Sequence, residues 1–244
     1  MPRGRATAWL FALAAGLVAT PAHPGDLRLE PVSVILRSGE EASTLWLSNT
    51  GKVPLQAQVR IFSWSQADGG EVLVPTRELA VSPPLLEVPP MGRQRVRLVR
   101  LAPAVPATET AYRLVVDELP PAGELPADGT LLRYSIPVFA LPTAPATAGH
   151  RLSARIEEDT TGRRLLRLEN SGDRHARIAG LTFVGPGGRR HVLAPNLAGY
   201  VLAGRYKHWP LPEAAAGPPH GRFEADVNGK TVVLVPEAGL LTGR

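Results

Sequence analysis

The chain has 244 residues, of which 44% are hydrophobic and 20% charged, with 25 prolines, 24 glycines and no cysteine. That length accommodates one large domain or two ordinary ones, each able to bury a core. The missing cysteines exclude disulfides, thiol catalysis, cysteine-based zinc sites and iron–sulfur clusters, and the density of proline and glycine suits many short strands joined by turns better than helices.

The N-terminus reads Met1-Pro-Arg-Gly-Arg, followed by an apolar run over 8–19 and then Thr20-Pro-Ala22, with small residues suited to cleavage after Ala22. This is the pattern of a secretory signal peptide over 1–22, the apolar run being short for a membrane span. Removing Arg3 and Arg5 with it leaves 25 basic residues against 22 acidic ones, a net +3 with no basic block, which argues against nucleic acid as a partner.

From Leu27 to Leu141 the sequence is a series of short apolar or alternating runs, over 27–36, 43–48, 56–64, 71–74, 79–88, 93–101, 110–119 and 130–141. Turn residues separate them, among them Asn49-Thr-Gly-Lys, Ala67-Asp-Gly-Gly and the Pro-rich 120–129. Seven or eight strands in about a hundred residues predict an immunoglobulin-like sandwich. In Gln94-Arg-Val-Arg-Leu-Val, Val96 and Leu98 alternate with Arg95 and Arg97, giving one buried and one wet face and hence antiparallel pairing. Trp64 falls where such sandwiches place a core tryptophan.

The small, Pro-rich stretch 141–149 reads as a link between domains. Weaker strand runs follow over 152–157, 165–169, 176–184, 191–193, 205–210, 221–227 and 231–235, the last two joined at an Asn228-Gly229 hairpin signal. The expected organisation is therefore all-β: a signal peptide over 1–22, an N-terminal immunoglobulin-like domain over 23–142, and a C-terminal β-sandwich over 143–244.

Motifs that carry chemistry are missing. There is no Gly-x-Ser-x-Gly elbow, His-Glu-x-x-His pair, P-loop or dinucleotide-binding glycine pattern. Gly185-Pro-Gly-Gly reads as a turn between strands. The six histidines fall singly, without metal-site spacing, and adjacent acids such as Asp117-Glu118 point to opposite faces of a strand. No catalytic residue, metal site, cofactor or small-molecule substrate is expected.

The first half resembles the PapD-like periplasmic pilus assembly chaperones, and among them the archaic chaperone–usher type. The resemblance is carried in order by Leu45-Trp-Leu-Ser-Asn-Thr-Gly51, Val59-Arg-Ile-Phe-Ser-Trp64, Val81-Ser-Pro-Pro84, Gln94-Arg-Val-Arg97, Thr110-Ala-Tyr-Arg-Leu-Val-Val-Asp117 and Tyr134-Ser-Ile-Pro-Val-Phe139. Leu168-Glu-Asn170-Ser-Gly172 looks like the family's second asparagine turn. The resemblance implies a periplasmic chaperone that lends its G strand to a pilus subunit lacking one, then delivers the subunit to an outer-membrane usher.

The lending strand would be 130–141, with Leu132, Tyr134, Ile136 and Val138 on one face; by their alternation alone these four could equally fill the chain's own core. The family's Arg and Lys, which grip a subunit's terminal carboxylate, are replaced here by Ser33 and Pro137. Arg113 is the candidate carboxylate anchor, with Glu109 or Glu118 as the acids that could instead neutralise it. Arg97 and Arg133 are expected to lie away from the cleft. The short 120–129 segment resembles chaperones of multi-subunit pili. A self-capping dimer would shield exposed strand surface in the free protein, and an adhesive or structural surface protein is the alternative reading of the same sandwich.

Overall fold

The computed structural model describes residues 26–101, 108–120, 131–142, 149–212 and 221–237. The expected signal peptide, most of the Pro-rich link and the 121–130 connection lie outside the described residues. Those that are described form two β-sandwiches and a single 3-10 turn, Pro186–Gly188.

The first sandwich packs two antiparallel-rich sheets around one core. One sheet orders β1 (Leu27–Glu30), β3 (Ala42–Asn49), β8 (Arg93–Arg100) and β6 (Leu79–Ser82). The other orders β2 (Val34–Leu36), β10 (Arg133–Ala140), β9 (Thr110–Leu119), β4 (Leu55–Ala67) and β5 (Gly70–Pro75), with β7 (Leu85–Val88) also on β4. Leu45 and Leu47 of β3, Val96 and Leu98 of β8, Val59 of β4 and Leu114 of β9 face inward and are buried, each on the expected alternation. Arg95 and Arg97 face water.

Two of the expected strands are each divided between the sheets. The run 27–36 gives β1 on one sheet and β2 on the other, parted at Pro31; the run 79–88 divides into β6 and β7 at Pro83-Pro84. Proline lacks the N–H a ladder needs and fixes its own φ, so each run stops pairing at the proline and resumes on the opposite sheet. The hairpin between β4 and β5 uses Asp68 and Gly69, both at positive φ, as a two-residue turn of this hand requires.

The second sandwich sets β11 (Leu152–Glu158), β12 (Arg164–Asn170) and β15 (Arg205–Pro210) against β14 (Arg190–Val201), β13 (Ala176–Val184), β16 (Arg222–Val227) and β17 (Lys230–Leu234). Its core holds Leu166, Leu168, Ile178, Leu181 and Phe223. Asn228 and Gly229 turn the last hairpin as their sequence predicts. The main difference is β14, which runs over twelve residues where three were expected. Its pairing with β13 shifts register near Gly180, and Pro195 and Gly199 break its alternation, so a real strand reads as loop.

One buried asparagine closes an equivalent corner of each domain. At the end of β3, Asn49 donates to the Val53 and Val88 carbonyls and accepts from Gly51 N–H at 2.7, 3.1 and 2.8 Å. At the end of β12, Asn170 donates to Arg174 and Val201 and accepts from Gly172 at 2.7, 3.1 and 3.0 Å. Replacing either by Ala strands one buried and one part-buried carbonyl and a buried N–H, so Asn49→Ala and Asn170→Ala are each expected to cost about 2–3 kcal/mol. Urea unfolding curves of the single variants check this, and unchanged midpoints would contradict it.

Candidate functional site: the donor strand and the seam between the domains

Strand β10 lies between β9 and β2. It pairs with β9 over its whole length, and with β2 only from Val138 to Ala140, in parallel. Glu118 N–H donates to the Leu132 carbonyl, so the even-numbered residues of β10 direct their backbone groups at β9. Arg133 and Ser135 therefore turn N–H and C=O to the outer edge, and Pro137 only its C=O. Among the described residues no strand pairs with this outer edge over Arg133–Pro137. The strand thus has one open half-edge.

Leu132, Tyr134, Ile136 and Val138 do share one face, and that face looks into the first sandwich's own core. Ile136 and Val138 are buried; Leu132, just before β10, and Tyr134 pack on the core's margin. The Tyr134 hydroxyl crosses the sandwich to donate to the Leu27 carbonyl at 2.6 Å. On the opposite face Arg133 is ion-paired with Asp117, which Arg60 also holds at 2.6 Å. Burial alone would raise the Asp117 carboxyl, but the hydrogen bonds from Arg133 and Arg60 outweigh it and hold the group below its ordinary value of 3.8.

The outer face of this sheet is where the second domain attaches. Trp64 lies an odd number of residues from core-facing Val59, so it points away from the core to which the sequence reading assigned it. It is buried instead with Ala111, Phe139, Tyr200 and Leu202 in a cluster drawn from both domains. Trp64 meets Tyr200 edge-on at 5.6 Å. Beside them, Gln66 donates to the Tyr200 carbonyl at 2.7 Å and accepts from Leu202 N–H at 3.0 Å, pairing the domains as a short length of ladder would. His175 stacks on Phe139 at 3.6 Å and bonds Glu109 at 2.7 Å. At the hairpin tip, Gly69 comes so close to His208 that a Cβ would sit 2.3 Å from the ring.

Arg113 lies in this seam, 8% exposed, its guanidinium 3.6 Å from the centre of the Trp64 ring. Its acid is neither Glu109, which serves His175, nor Glu118, which takes the Leu132 N–H. Glu71 neutralises it instead, at 3.2 Å, and the same Glu71 oxygen is 3.4 Å from Lys207 of the second domain. Arg113 Nε is buried with no hydrogen-bond partner. The arrangement is a carboxylate held by two cations, one from each domain. Pro137 is opposite Arg113 on β10, while Ser33 is exposed between β1 and β2. Arg97 is exposed on the other sheet, and Arg133 lies toward the far end of β10 from the seam.

Sequence reasoning named Arg113 but not Glu71, Lys207, Gln66 or His175. Each acts across a domain boundary on a partner distant in sequence, and periodicity carries no trace of that. Among the described residues no three His, Asp or Glu side chains converge as a metal site would.

Residues 26–146 match the family model for the PapD N-terminal domain of pili and flagellar-assembly chaperones. Through that domain the chain belongs to the PapD chaperone family. No curated protein matches it in sequence. Among solved structures, the CsuC–CsuE chaperone–tip adhesion subunit pre-assembly complex from archaic chaperone-usher Csu pili of Acinetobacter baumannii is similar at 22% identity and a TM-score of 0.70, over 86% of this chain and 99% of that one. The Salmonella enterica SafA pilin–SafB chaperone complex is similar at 20% and 0.60, over 88% and 98%, and the E. coli chaperone DraB at 20% and 0.56, over 86% and 98%. At these identities the likeness is one of fold, and it spans both sandwiches.

The Asp117 pair fastens the exposed start of β10, and its sign with pH is fixed. A carboxyl whose folded value is depressed contributes stability above its unfolded value and loses it as pH falls through the folded one. The wild type should therefore exceed Asp117→Asn in denaturation midpoint at pH 7, with the gap closing as pH drops below about 4 and narrowing in 1 M salt. Paired urea titrations at pH 7 and pH 2.5 test this; a gap that persists at the lower pH would contradict it.

Proposed function

We propose that this PapD-family chain is a periplasmic chaperone for pilus subunits of the archaic type, which completes a subunit's unfinished sheet with β10 and passes the subunit to an outer-membrane usher. The observation that supports it most directly is the open half-edge of β10. Its outward N–H and C=O groups at Arg133 and Ser135 are available for strand addition while its inward ladder stays occupied. A lent edge of this kind stabilises a subunit through main-chain bonds, and the flanking Leu131, 38% exposed, adds apolar surface at the entry to the strand. Assembly needs no nucleotide, since exchange for a better-fitting strand of the next subunit drives it.

In this reading Arg113 receives the subunit's terminal carboxylate. Glu71, which occupies the position in the free chain, gives way, and Lys207 supplies a second cation from across the seam. A guanidinium already desolvated against Trp64 binds an arriving carboxylate more strongly than an exposed one would.

Co-expression with pilin subunits of the archaic type, followed by native mass spectrometry of the periplasmic fraction, tests the reading. Ser135→Pro removes an outward N–H without touching the ladder to β9, so it should abolish the one-to-one complex while leaving the unfolding free energy from urea titration within about 1 kcal/mol of wild type. Arg113→Ala should also lose the complex. Wild-type yield in the Ser135→Pro variant would rule out lending by this edge, and a pilin stable without the chain would rule out the chaperone reading.

A further inference from the structure

The outer face of the first domain's β1-β3-β8-β6 sheet carries a charge pattern that strand donation does not use. Arg93, Arg95 and Arg97 project from alternate positions of β8, opposite Ser48, Trp46 and Thr44 of β3, and Arg28 of β1 stands opposite Ser48 in turn. All four arginines are exposed. Elsewhere arginines such as Arg60, Arg155 and Arg190 reach carboxylates at 2.6, 3.0 and 2.7 Å. Among the described residues these four have no such partner, and Glu30, opposite Trp46, is the one acid in their cross-strand rows. Like charges at alternate positions of one strand repel, and only Arg93, stacked on Trp46, makes a favourable contact within its own sheet.

Trp46 lies half-buried in the middle of this face, with the Arg93 guanidinium 4.4 Å over its ring. No large exposed apolar side chain stands with the arginines on these rows. That combination disfavours a lipid surface, where lasting attachment needs apolar insertion as well as charge. It favours a protein segment. Alternate residues of an extended chain repeat at about 7 Å, so a strand-like segment with carboxylates at every second position meets Arg93, Arg95 and Arg97 in register. Each guanidinium can then take a carboxylate bidentately.

We propose that this face is a docking surface for an acidic, extended segment of a partner protein, read by the Arg93, Arg95 and Arg97 row with Arg28 at its rim. The site is on the opposite sheet from β10 and is independent of whether that strand is lent.

The test uses the mature chain and two acetylated, amidated probe peptides of equal composition, four alternating Ser-Glu repeats and a block of four Glu followed by four Ser, with phosphatidylglycerol-containing vesicles as a third probe. Trp64 and Trp209 are buried, so protection from acrylamide quenching reports on Trp46. At 20 mM salt the alternating peptide is expected to bind at least ten-fold tighter than the block peptide, to weaken steeply by 200 mM salt, and to lose at least ten-fold in Arg93→Gln/Arg95→Gln/Arg97→Gln, whose urea midpoint stays at or above wild type. Equal affinity for the two peptides, no binding of either, binding to vesicles alone, or a triple variant that binds as wild type would each overturn the proposal.

Discussion

The structure depends on the middle of one sheet, around β9, being buried on both faces. Strand β9 shows it most directly: Tyr112, Leu114 and Val116 fill the first domain's core, while Ala111, Arg113, Val115 and Asp117, on the other face, are also buried or nearly so. Half-buried sheets alternate apolar with polar; a sheet covered on both sides reads as a nearly continuous apolar run, and Leu114-Val-Val is such a run. The second domain supplies part of the outer cover through Tyr200 and Leu202, so the seam between domains is continuous with the packing of the first. In a chain with no disulfide, this shared burial and the Gln66 pairing hold the two sandwiches to each other.

Burying the outer face forces polar groups into the seam. A guanidinium taken from water is costly unless it is paired, and Arg113 meets that cost with Glu71 on one side and the Trp64 ring on the other. Glu71 in turn shares its carboxylate with Lys207, so the second domain takes part in neutralising a charge of the first. A site of this kind is prepared for an anion: its cations are already desolvated and fixed, and the carboxylate they hold is the most exposed of the three partners, at 35%. In the proposed reading, a subunit's carboxylate would have to displace Glu71 from these two cations.

How much of this the sequence discloses follows from the range of the interactions. Strands with one wet face, such as β8 with its alternating arginines, were plain from period alone, as were the Asp68-Gly69 and Asn228-Gly229 turns, whose backbone conformations only a few residue types adopt. The family was legible because its signature residues sit at such local features, the asparagine corner at Asn49 and the Pro83-Pro84 break among them. Trp64 was misassigned because a position along a strand does not reveal which face is inward once the run has no polar partner face. The length of β14 was hidden by its bulges, and the partners Glu71, Lys207 and Tyr200 were invisible because they converge only when two separately folded units meet.

The placement of β10 also restricts how it could serve another protein. Ile136 and Val138 are committed to the core, and Tyr134 is tied across it to Leu27, so withdrawing the strand would open the sandwich at several kcal/mol per large side chain removed. Adding a partner strand along Arg133–Pro137 disturbs none of these contacts. At the end near the seam, β2 covers the edge from Val138 onward and sets a stop beyond which an added strand cannot pair. That stop is adjacent to Pro137, directly opposite Arg113. A strand added along the open edge would therefore pair no further than this stop, so the position of β2 would limit its length; Arg113 stands one strand beyond β10, on β9, with its guanidinium turned toward Trp64 of β4 and Glu71 of β5.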